Sequence, residues 1–111
     1  MGVDLYSEHG YQALNWYGWG RCFDIAIEHG WHPAGTEPPD DHVGAWGGGY
    51  FSNDYQHITD GDARAFGEAL LRGIPIEEAR ERDSPTRWPD NSFHRFREFA
   101  GFALKGGFII G

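Results

Sequence analysis

A chain of 111 residues falls in the range of one domain and can bury a single core without help from disulfides or a structural metal. Its formal charge is −8 and unevenly placed: residues 1–63 hold ten acidic side chains against Arg21 alone, whereas residues 64–111 hold seven against eight basic ones. A binder that tracks phosphates needs a basic stripe, so ordinary DNA or RNA binding is disfavoured, and no run approaches the roughly 18 consecutive apolar residues of a membrane span.

The first residues carry Asp4 and Glu8 with no basic start ahead of an apolar run, so no secretory signal is expected. The lone Cys22 cannot form an internal disulfide, in keeping with a reducing compartment, and a soluble cytoplasmic protein is the expectation. "GVDLYS" and "YQAL" alternate in the manner of short strands. From Asn15 to Gly30 the period changes: at about 100° per residue, Trp16, Trp19, Phe23, Ala26 and Ile27 share one stripe, and Tyr17, Arg21, Asp24 and Glu28 the opposite one. A helix is predicted there, closed by Gly30 as a left-handed cap.

Residues 32–49, "HPAGTEPPDDHVGAWGGG", contain three prolines and five glycines and keep no period. Long segments without structure of their own are uncommon in compact domains and tend to be functional or disordered. This one carries Glu37, Asp40, Asp41 and the large ring of Trp46, which makes it the candidate surface for a basic protein partner. The bland alternative is that acidity only keeps the protein soluble. Of five Trp, five Tyr and eight Phe, core packing explains most, and rings left at the surface are candidate anchors.

"YFSNDYQHIT" alternates about an Asn-Asp turn and predicts a hairpin from Tyr50 to Ile58. Thr59 followed by Asp62 is close to a capping box for a helix over residues 60–73. A calcium loop is excluded: with Gly61 as the turn glycine, Ile58 and Gln56 would occupy ligand positions and Gly67 the place of the bidentate glutamate. Pro75 suits the first residue of a further short helix, "PIEEARERD", read as a mostly solvated face. A loop over residues 84–91 precedes a last helix, about Asn91 to Lys105, with Phe93, Phe96, Phe99, Ala100 and Ala103 inward, and "FII" closes as a strand.

Three segments, "NWYGWGRCFDIAIEHGWHPAGTEPP", "YFSNDYQHITDGDARAFGEAL" and "FREFAGFALKGGF", resemble a loosely defined group of small uncharacterised bacterial proteins. The group shares a Trp-containing first helix, a Gly-Trp-x-Pro-x-Gly-Thr exit, an Asn-Asp-Gly-Gln turn before Thr-Asp-x-Asp-Ala, and a Phe/Gly-rich tail. The resemblance implies a shared fold and transfers no catalytic residue. Tyr55 stands where the turn glycine is expected, which disfavours a tight primed turn, although Asn53 and Asp54 tolerate left-handed backbone.

Candidate chemistry is sparse. His29 and His32 with Asp40, Asp41 and His42 could form a zinc or manganese site and, with it, a metal-dependent hydrolase, but their spacing matches no recognised ligand pattern. Cys22 and His29 share a helix at roughly 10 Å of axial separation and cannot form a nucleophile pair. No nucleophile elbow, phosphate loop or dinucleotide fingerprint occurs, and no cofactor is expected. Arg87, Trp88, Arg95 and Arg97 cluster in sequence and could hold a nucleotide or other phosphorylated small molecule, unless the arginines pair with Asp83, Asp90 and Glu98.

The expected architecture is a single α+β domain over residues 1–111, with about four helices on a small antiparallel sheet, as a monomer or homodimer. The leading functional expectation is a non-enzymatic binding protein of bacterial or phage origin, an inhibitor or immunity-type partner of a basic protein. A small-ligand binder is the alternative.

Overall fold

Alternation ends at Asn15 because that residue caps a helix: its side-chain oxygen accepts from the Gly18 amide at 2.6 Å, and the chain turns from strand to helix without a linker. The computed structural model describes residues 2–83 and 92–111. Its elements are β1 (Gly2–Ser7), β2 (Gly10–Asn15), α1 (Trp16–Glu28), β3 (Gln56–Ile58), α2 (Asp60–Arg82), α3 (Ser92–Leu104) and β4 (Phe108–Ile110). The strands form one antiparallel sheet in the order β2-β1-β4-β3. The predicted α+β class holds, with three helices among the described residues rather than four.

The missing boundary is at Pro75, which lies inside α2 instead of starting a new helix. Proline removes one helical N–H and crowds the carbonyl four residues back. Here Pro75 and Leu71 are both on the exposed side, so the carbonyl left without its donor can be solvated and the helix runs on. Gly73 does not end the helix either. A side chain there would come within 2.4 Å of the His29 ring and 2.5 Å of Ile25, so this glycine lets α1 and α2 approach.

The predicted 50–58 hairpin is also absent. Residues 50–55 form no strand, and β3 pairs with β4 through Gln56↔Ile110, His57↔Ile109 and Ile58↔Phe108. The buried Gln56 side chain organises the bend instead: it accepts from the Asp54 amide at 2.9 Å and donates to the carbonyls of Gly49 at 2.8 Å and Ser52 at 2.9 Å. The left-handed residue is Tyr55, at φ 61°, rather than Asn53 or Asp54.

Val3, Leu5, Leu14, Ile58, Phe108 and Ile110 face the helices and are buried. Helix α2 packs against both α1 and α3, and Phe66 stands at the junction. Its ring stacks on Trp31 at 4.0 Å and 7°, and meets Phe23 at 5.0 Å and Phe99 at 5.1 Å edge-on. Ile27, expected on the inner stripe of α1, is half exposed, and Ile25 is buried in its stead because α2 covers that flank. After α1 the chain leaves through Gly30 at φ 109°, with the Trp31 amide donating back to the Ala26 carbonyl at 2.9 Å, which drops Trp31 into the core. Among the described residues no helix is long and apolar enough to cross a membrane.

Candidate functional site

One carboxylate, that of Asp62, ties together the two ends of the 32–49 loop. Thr59 caps α2 as predicted, its hydroxyl accepting from the Asp62 amide, and this turns the Asp62 side chain inward at the helix start, where the helix dipole favours negative charge. One Asp62 oxygen accepts from the Trp31 indole and the Ala34 amide, each at 3.0 Å, and the other from the Tyr50 hydroxyl at 2.6 Å. Tyr50 in turn accepts from the Gly35 amide at 2.9 Å. Burial and the bond to Asp62 push the Tyr50 phenol well above its ordinary range, so it stays a donor. Asp62 was legible as a cap residue; its part in joining both ends of the loop depends on residues 31, 34 and 50, which only the fold brings to it.

Midway along, the Trp46 indole donates to the Thr36 hydroxyl at 3.1 Å and Thr36 donates to the Gly48 carbonyl at 3.0 Å. The His42 ring meets the Trp46 ring edge-on at 5.1 Å. Trp46 is thus half buried and its N–H is engaged inside the loop, so it fastens the loop rather than projecting from it. Glu37 pairs with His57 by backbone bonds of 2.8 and 2.9 Å, a one-residue bridge along the edge of β3 that faces away from β4. Asp40 lies 3.2 Å from the His57 ring, yet its own side chain is 96% exposed, and Asp41 and Val43 beside it are also exposed.

The five candidate metal ligands are not grouped together, and Asp40 lies against His57 instead. His29 joins Glu28 and Glu77, whose ligand atoms lie within 4.8 Å of one another, while His32, Asp41 and His42 are exposed elsewhere on the loop. Arginines already serve the carboxylates of that group. Arg80 donates to Glu77 at 2.6 Å and to Glu28 at 2.8 Å, and Arg21 donates to Glu77 at 3.1 Å. The bond to Arg80 holds the Glu28 carboxyl below its usual range. Glu77, expected on a solvated face, is 4% exposed because α1 lies over it. Glu77→Ala would remove a nearly buried carboxylate to which both Arg21 and Arg80 donate, and should cost about 3 kcal/mol in urea unfolding. A loss below about 0.5 kcal/mol would identify the group as a surface network.

Of the predicted phosphate cluster, Arg87 and Trp88 lie outside the described residues. Arg97 grips Glu78 of α2 with both guanidinium nitrogens, one at 2.9 Å, and holds that carboxyl below its usual range. Arg95 is two residues away, about 200° around the helix, and lines a groove of about 210 Å³ with Leu14, Tyr17 and Phe96. Arg95 and Arg97 therefore do not converge. Cys22 is fully buried and its thiol is pushed far up by burial, which leaves no thiolate for nucleophilic chemistry. No protein-family model, curated protein or solved structure matches the chain.

Proposed function

We propose that this chain is a non-enzymatic binding protein, of the inhibitor or immunity type, whose partner is a basic protein met through the 32–49 loop. The observation that carries the reading is the contrast within that loop. Asp62, Thr36 and Trp46 fix its path, while Asp40 and Asp41 extend into solvent. A loop ordered before binding loses less entropy on association, and exposed acids on a fixed frame steer a cationic surface into one register. A bacterial or phage cytoplasmic setting suits a protein whose one cysteine is a buried free thiol.

A peptide of alternating arginine and threonine serves as a defined cationic probe. Asp40→Asn combined with Asp41→Asn keeps the Trp46 fastening and removes two charges. Affinity by calorimetry at about 150 mM salt should fall roughly tenfold, since both acids act within a Debye length of the probe. Equal affinity for the native and substituted proteins would reject the loop as the contact.

A further inference from the structure

One face of the sheet packs on the helices; the other carries a row of side chains that crosses all four strands. In the register, Tyr11 stands opposite Tyr6, Tyr6 opposite Ile109, and Ile109 opposite His57, and such partners project to the same side. The Tyr6 and Tyr11 rings are 5.4 Å apart and about half exposed. Tyr55 joins them from the bend before β3. A methyl group at Gly111 would come within 2.8 Å of the Tyr55 ring and 3.0 Å of the Tyr6 ring, so the two rings flank one glycine.

Tyr55 is 62% exposed and its backbone is left-handed, a conformation that a bulky residue keeps only where its surroundings impose it. Here the Tyr55 amide donates to the Ile110 carbonyl at 2.8 Å, and the neighbouring bend is fixed by Gln56. An aromatic ring is thereby displayed on the surface against the preference of its own backbone.

From Tyr6 to His57 the charge beside the strip is acidic. Asp4 accepts from the Tyr11 hydroxyl at 2.5 Å. A groove of about 570 Å³ runs past Tyr6, Ile109 and His57, with Glu8, Glu37 and Asp60 along it and no lysine or arginine in its lining. Asp40 of the loop rests against His57 at its margin. Cations stand at the β2 end, where Arg95 shares a hollow with Asp4 and Lys105 shares another with Tyr11 and Glu98.

We propose that this open sheet face is part of the partner surface and receives an extended arginine- or lysine-rich segment of the partner protein, laid across the tyrosine strip. Cationic side chains sit favourably over tyrosine rings, and the acids along the groove neutralise those that fall between rings. The inference rests on the reading of a basic partner and adds where and in what form that partner binds.

The test uses the same arginine–threonine peptide. Tyr6→Ser and Tyr55→Asn each remove one ring, and asparagine tolerates the left-handed backbone at 55. Each should weaken binding about fivefold, whereas Tyr6→Phe, which keeps the ring face, should bind as the native protein does. Thermal unfolding of each variant confirms that it is folded. If the ring variants are folded and bind like the native protein while the Asp40/Asp41 pair weakens binding, the sheet face is excluded and the loop reading survives. If neither set changes affinity, both are overturned.

Discussion

Asp62→Ala should free the 32–49 loop and lower the unfolding free energy by about 3 kcal/mol, the cost of leaving buried donors without a charged acceptor, partly offset by no longer burying the carboxylate. The donors at stake are the Trp31 indole, the Ala34 amide and the Tyr50 hydroxyl. Trp31 is 1% exposed, so its N–H cannot turn to water without unstacking from Phe66. Two measurements separate the effects. Urea unfolding gives the stability loss, and amide exchange at Ala34 and Gly35 reports the loop. Asp62→Asn offers one acceptor oxygen in place of two and should show about half the loss. A loss below about 1 kcal/mol for Asp62→Ala, with unchanged exchange at Ala34, would mean that Trp46 and the Glu37–His57 backbone pair hold the loop without Asp62.

Phe66→Ala should be more damaging, at about 4 kcal/mol, within the range for removing a fully buried phenylalanine. Phe66 touches rings from α1, from α3 and from the segment after α1, so its loss opens a cavity where all three meet. Collapse into that space is limited because Gly67, one residue on, already lies close to α3: a methyl group there would come 2.9 Å from the Ala100 carbonyl. Denaturant unfolding gives the magnitude. Near-ultraviolet circular dichroism should lose the tryptophan signal of Trp19 and Trp31 in the variant before unfolding. A loss below about 2 kcal/mol would mean that the ring cluster closes over the gap.

How far the sequence could be read depends on where each residue finds its partners. Helices α1 and α3 and the Thr59 cap were legible because their determinants lie within a turn or two: the apolar stripe, Gly30, and a hydroxyl ahead of the first turn. Pro75 misled because the rule against proline in a helix is about unsatisfied carbonyls, and an exposed one is satisfied by water. The bend at 50–55 has hairpin composition, yet its geometry is set by Gln56 and by a β4 carbonyl about 55 residues further along the chain. Glu77 looked solvated since nothing near it in sequence covers it; Arg21 and α1 do. The acidic loop was visible as composition. Its frame was not, because the acceptor that shapes it belongs to α2.

The strand order has a further consequence, for the timing of assembly. Of the four strands β4 is last in sequence, yet it is interior in the sheet, bonded to β1 on one side and β3 on the other. During synthesis the β1–β2 hairpin can form at once, but β3 has no partner strand until residues 108–110 have emerged. Until then β1 presents an open edge and the buried faces of Leu5 and Ile58 are unprotected. The keystone of the sheet is thus a three-residue strand delivered late, and until it docks the facing edges of β1 and β3 stay unpaired.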